Sequence, residues 1–147
     1  MKYLFKFFRL PCQNRQVLCH AALLLPICQL CARFLPLAIL LKLFRLKTIR
    51  DPEWCSSPPC KVDDILLIEW AVTTAARYIP FLQAFCLAQA LTTRTLLHWR
   101  AIDCALNLGV SKSDDRRLTA HAWLNCNGII IKCGSDINTF TNITAFY

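Results

Sequence analysis

Cys86 and His121 are the residues whose types and setting could do chemistry. Cys86 heads Cys86-Leu-Ala-Gln-Ala-Leu91, a helix-forming run, and His121 lies in Ala120-His-Ala-Trp-Leu124, which reads as a strand. A thiolate is a strong nucleophile, and a neighbouring imidazolium stabilises it. The N-terminus of a helix adds a partial positive charge acting in the same direction. Such a pair can attack a carbonyl carbon, hold the acyl group as a thioester and return a proton to the leaving group. Alone, the two residues carry little weight, because cysteine is common in protein cores. The elements around them must bring them together.

Those elements are legible in outline. The apolar stretch from Gln16 to Leu46 is punctuated by Pro26 and Pro36, which predicts helices near Gln16–Leu25, Ile27–Phe34 and Leu37–Leu46. Residues Thr48–Lys61, with three prolines and two serines, read as a linker. Asp63 and Asp64 suit a helix start, where carboxylates meet free amides. Ile65, Ile68, Val72, Ala75, Ala76 and Ile79 then recur at helical spacing, and Pro80 ends the run. The Cys86 helix is expected to reach about Trp99. Strands are expected over Ala101–Val110, Thr119–Cys126, Ile129–Cys133 and Asn138–Phe146, with Asn127-Gly128 as a two-residue hairpin turn. The fold class is α+β. The chain divides into a basic apolar helical region at 1–50, a linker at 51–62 and a second part at 63–147.

Composition narrows the function classes. The chain has 147 residues, 56% of them hydrophobic, and a net charge of +8. Its basic residues concentrate before Arg50, which suits an anionic membrane surface, an acidic peptide or a partner protein. The start, Met1 to Leu10, interleaves Lys2, Lys6 and Arg9 with aromatics. It reads either as a helix packed on the body or as a membrane-surface anchor. No signal peptide is expected there, because charges break the apolar run and no small-residue cleavage site follows. No aromatic-basic RNA motif or zinc-finger spacing points to nucleic acid. Val17–Ala32 lacks formal charge but is short for a bilayer span, which needs about 20 residues.

The ten cysteines fit reduced thiols in a cytoplasm better than a secreted disulfide scaffold, given long apolar runs and only three glycines. Cys28, Cys31, Cys55 and Cys60 could in principle hold zinc. However, an i,i+3 pair within an apolar helix arises from packing alone, and the second pair flanks Ser56-Ser-Pro-Pro59. No metal site is therefore expected. His20 and His98 read as structural.

The blocks Ala76-Arg-Tyr-Ile-Pro80, Cys86-Leu-Ala-Gln-Ala-Leu91, Leu97, Leu108-Gly-Val110, Ala120-His-Ala-Trp123 and Asn127-Gly128 carry a resemblance. In this order and spacing they resemble the transglutaminase-like cysteine proteases of lasso-peptide biosynthesis, the leader peptidases of the microcin-processing type. The resemblance covers Asp63 to Tyr147 and, more loosely, the apolar N-terminal part. It implies N-terminal helices packed on a transglutaminase/papain-like core, with the nucleophile helix against a small antiparallel sheet. It also implies that Cys86 attacks the carbonyl at the leader–core junction and that His121 moves the proton. Arg77 matches a recurring arginine of the family and reads as structural. The partners implied are a lasso precursor peptide, a small leader-recognition protein and a macrolactam-forming cyclase. No cofactor is implied by motif, although ATP dependence could enter through the complex.

Around the pair, the backbone amide of Cys86 is expected to supply part of an oxyanion hole, with Gln83 as a second donor. Trp123, two residues after His121 on a strand, should share its face, either as core packing or as a shield against water. The resembled family usually places a carboxylate on the strand after the histidine, to fix the imidazole tautomer. Here Cys133 stands at that place. With Asn127-Gly128 as the turn, Cys126 faces Ile129 and His121 faces Gly134. Asp136 then lies one diagonal step from His121, about 7–8 Å between backbones. Asp136 is accordingly either the orienting acid of a triad or a turn residue beside a Cys86–His121 dyad. Two other function classes stay open: a catalytically inactive transglutaminase-like binding or scaffold module, and a small membrane-associated protein. The expected location is cytoplasmic, with peripheral membrane contact as an option.

Overall fold

A computed structural model describes residues 11–48, 62–78, 86–112, 118–133 and 140–147. It shows α1 (Cys12–Phe34), α2 (Leu37–Leu43), α3 (Val62–Tyr78) and α4 (Cys86–His98), followed by β1 (Ala105–Lys112), β2 (Leu118–Cys126), β3 (Ile129–Ile131) and β4 (Thr141–Phe146). The strands form one antiparallel sheet in the order β3-β2-β1-β4. This is the expected α+β arrangement, with a helical layer against a small sheet.

Pro26 does not divide the first helix as its chemistry suggested. α1 runs through it for 23 residues. A proline inside a helix forfeits one backbone hydrogen bond and crowds the preceding turn. Here packing offsets that cost: Val17, Ala21, Leu25 and Cys28 form a continuous buried stripe against α3 and α4. Pro36 behaves as expected and stands immediately before α2.

α3 carries Asp63 and Asp64 in its first turn and buries Ile65, Ile68, Ala71, Val72 and Ala75. α4 is different. Ala88, Ala90, Leu91, Thr92, Thr93, Leu96 and Leu97 are all buried, so it has no single apolar stripe. It is the central helix, covered by α1 and α3 on one side and by the sheet on the other. Thr92 and Thr95 donate their hydroxyls to the carbonyls of Ala88 and Leu91, one turn back, which satisfies polar groups inside an apolar layer. Arg100, just past α4, pairs with Asp64 at the start of α3. The N-terminal helices also tie into the sheet: Lys47 and Tyr147 exchange backbone hydrogen bonds at 2.9 Å, and Thr48 bridges to Phe146.

The β2–β3 hairpin has the register read from its turn. Cys126 pairs with Ile129 and Leu124 with Ile131, and Asn127 and Gly128 both take positive φ (50° and 87°), as a type I′ turn requires. Alternation then sorts the sheet. Leu106, Ala122, Leu124 and Phe146 join the helices in the core. Asn107, Gly109, His121 and Trp123 lie on the other face, since Gly109 pairs with His121 and Asn107 with Trp123.

One expectation about the cysteines is overturned: Cys104 and Cys126 form a disulfide. The β1–β2 register makes it geometrically natural. Ala105 pairs with Asn125, so the next residues out, Cys104 and Cys126, face each other across the strands with Cα atoms 4.4 Å apart. The bridge closes a loop of sequence separation 22, for which loop-closure entropy gives about 3 kcal/mol. Reduction, or a Cys104→Ala/Cys126→Ala double replacement, is therefore expected to lower unfolding free energy by about that amount. Urea titration with and without reductant measures it, and an unchanged midpoint would contradict the assignment.

Candidate active site

Cys86 is the first residue of α4, with its side chain half-buried. Its thiol points at the Ala120 carbonyl oxygen on β2, with a long Sγ···O distance of 4.0 Å. Ala120 immediately precedes His121, so α4 delivers the sulfur to the main chain of the histidine strand. The Sγ and imidazole make no hydrogen bond to one another among the described residues: they meet the same stretch of backbone at 120–121, but α4 packs on the Ala122–Leu124 face of the sheet and the His121 side chain leaves β2 on the other face. Catalytic hydrogen bonds are often long without substrate and tighten in the complex.

His121 is buried, at 4% exposure. Its Nε2 lies 2.9 Å from the carbonyl oxygen of Lys132. A carbonyl only accepts, so Nε2 carries a proton in this contact and Nδ1 is the nitrogen left to exchange one. Local chain geometry supplies this acceptor. The β2–β3 ladder ends at the Leu124–Ile131 pair, and Cys133 turns into the left-handed region with φ 47°. The Lys132 carbonyl, one residue past the ladder, meets the imidazole. The ring is also held between aromatics: Trp123 stacks on it with centroids 6.2 Å apart, and Phe140 lies against it at 5.0 Å.

Trp123 shares the face of His121, as alternation requires, and its ring lies over Gly109. A Cβ at Gly109 would sit 2.6 Å from Trp123 Cη2 and 2.7 Å from the Thr141 carbonyl oxygen, which accounts for a glycine opposite His121. Sequence reasoning missed the polar pair beside it. Buried Asn107 accepts a hydrogen bond from the Asn142 amide at 3.1 Å on this same face. Nothing in the residue types marks that pair before the β1–β4 register is known.

Cys133, at the place of the expected carboxylate, is a buried neutral thiol. Burial pushes it up to about 12, and the nearby Cys86 and Glu69 push the same way. It therefore supplies no negative charge to the imidazole at neutral pH, whose Nε2 meets the Lys132 carbonyl. Gln83 and Asp136 lie outside the described residues. His20 packs edge-on against Trp99, and His98 faces Asp103 at 3.8 Å, so both engage other partners. Among the described residues, no group of three or more His, Cys, Asp or Glu side chains could hold a metal ion. Cys28 and Cys31 lie in α1, while Cys55 and Cys60 fall outside the described residues.

Burial raises the thiols of both Cys28 and Cys133. Above pH 9 the unfolded chain ionises these thiols while the folded chain keeps them protonated. The unfolded state then binds fewer protons, so stability falls as pH rises from 9 towards 12. The slope is at most about 1.4 kcal/mol per pH unit for each thiol. Urea midpoints between pH 8 and pH 11 should decline, and less steeply in Cys133→Ala. Equal slopes in the two proteins would remove Cys133 from this account.

The sequence model of the transglutaminase-like superfamily matches residues 29–145. The chain belongs to the transglutaminase-like superfamily. That match runs from α1 through β4 and takes in Cys86, His121 and Trp123. The superfamily includes cysteine peptidases. Comparisons with curated proteins and with solved structures returned no match.

Proposed function

We propose that this transglutaminase-like protein is a cysteine peptidase that removes the leader from a lasso-peptide precursor. One observation carries the reading. The Cys86 thiol reaches the carbonyl of Ala120, the residue before His121 on β2, and the His121 ring reaches the carbonyl of Lys132 just beyond β3. In this reading the Cys86 sulfur attacks the carbonyl carbon of the leader–core junction. The C–N bond breaks as His121 gives a proton to the leaving amine, and the acyl group remains on sulfur as a thioester. Water, activated by His121, then releases the acid. The Cys86 amide at the start of α4 would donate to the oxyanion, with Gln83 as a candidate second donor. The Lys132 carbonyl takes the orienting role, so Cys86–His121 works as a dyad. Asp136 remains a candidate third member. No cofactor enters these steps. The proposed partners are the precursor, a small leader-recognition protein and a macrolactam-forming cyclase through which ATP could act.

The test is direct. The protein is incubated with a short precursor and leader-binding protein from neighbouring reading frames, and the products are read by mass spectrometry. A cleaved leader bearing a new carboxylate supports the proposal. Intact precursor in the presence of folded protein favours the second reading, a binding or scaffold module of the same fold. Cys133, a buried neutral thiol at the place where the resembled family carries a carboxylate, is the observation that favours that second reading.

A further inference from the structure

We infer that the outer face of α1 and α2 is a docking surface for an anionic lipid bilayer, on which the helices lie in the plane of the membrane. The face is built by helical spacing. Leu23, Ile27, Leu30 and Phe34 recur every three or four residues on the side of α1 opposite its buried stripe, and they are 56–73% exposed. Leu37 and Leu43 extend the exposed apolar surface along α2. Exposed large apolar side chains repeated along one face of a helix mark an interaction site.

Charge names the occupant. The first 50 residues hold nine Lys and Arg and no Asp or Glu, whereas the remaining 97 hold eight against nine. The whole positive excess therefore belongs to the part of the chain that carries this face. Arg33, Lys42, Arg45 and Lys47 are exposed at or beyond the C-terminal end of the stripe. Aliphatic and aromatic side chains sinking among acyl chains, with lysine and arginine at the phosphate level, is how an interfacial helix binds.

α1 is also long and apolar enough to span a bilayer, with 23 residues and a mean hydropathy of 1.7 over an 18-residue stretch of it. Its inner side argues for lying flat. Ala21, Leu25 and Cys28 are almost fully buried in the core against α3 and α4, and a spanning position would strip that packing away. An in-plane position leaves it intact.

Co-sedimentation of the full chain with vesicles of phosphatidylcholine containing about a third phosphatidylglycerol tests the inference. The protein is expected to pellet with these vesicles at low salt, to release in high salt, and to stay in solution with pure phosphatidylcholine. Leu23→Glu/Ile27→Glu and, separately, Lys42→Glu/Arg45→Glu should each weaken binding at least tenfold. Both pairs are exposed, so circular dichroism should report an unchanged fold. Failure to bind anionic vesicles would overturn the inference and leave the face to an acidic protein partner. Equal binding to neutral vesicles, or unchanged binding in the variants, would overturn it as well. Retention through an alkaline carbonate wash would mean a spanning helix instead. Cleavage of a soluble precursor by the Leu23→Glu/Ile27→Glu protein should match the unmodified chain, so this result stands or falls separately from the peptidase proposal.

Discussion

Cys86→Ala is expected to abolish leader cleavage, with a loss of about 10⁴-fold or more, because the residues of a nucleophilic dyad act as a unit. Removing the sulfur removes the thioester route and leaves only binding and any oxyanion donors. Cys86→Ser tests the same point with less change of shape, since the hydroxyl needs a stronger base to become a nucleophile. Neither change should unfold the chain, because Cys86 is half-buried at a helix start, where a small side chain is tolerated. The free thiols supply an internal control. Cys12 and Cys19 are more exposed than Cys86, whereas Cys28 and Cys133 are buried. Exposure alone would make an alkylating reagent label Cys12 and Cys19 first. Faster labelling of Cys86 at neutral pH, located by peptide mapping, would show activation. Labelling in order of exposure, together with full cleavage by Cys86→Ala, would end the peptidase proposal.

The sequence carried much of this arrangement, for reasons that differ from element to element. Asn127-Gly128 defines a turn and so a register, and the observed pairing of Cys126 with Ile129 follows from it. Asp63 and Asp64 marked the start of α3, and its apolar spacing marked the buried side. The Cys104–Cys126 disulfide was not legible, because it depends on the β1–β2 register and the sequence offers no Asn-Gly-type signal to fix that register. Pro26 misled because packing on both neighbouring helices outweighs one lost hydrogen bond. α4 showed no stripe because it is buried on nearly every side.

The hydrogen-bond partner of His121 was hidden for a different reason. A search by residue type looks for a carboxylate, and a backbone carbonyl has no residue type. The Lys132 oxygen becomes visible only when the ladder is seen to stop at Ile131 and the chain to turn at Cys133. Gly109 was visible as a glycine, but its reason, the Trp123 ring lying over it, was not.

That carbonyl gives the second large expectation a particular form. His121→Ala is expected to reduce cleavage by about 10²–10⁴-fold, the usual worth of a positioned acid–base group. His121→Gln is the sharper variant. A glutamine amide can still donate to the Lys132 carbonyl and fill much of the space between Trp123 and Phe140, yet it has no nitrogen to exchange a proton at neutral pH. If His121 served only to pack the sheet, His121→Gln would retain most of the activity and His121→Ala would not. If it moves the proton, both variants lose activity alike while His121→Gln keeps the fold, read by its urea midpoint. Nitrogen-resolved NMR of the free protein adds an independent readout. The Nε2–H···O=C bond predicts a proton on Nε2, with Nδ1 as the nitrogen that exchanges one. A ring protonated on Nδ1 with Nε2 bare would place the base on the wrong side and overturn the proposed dyad.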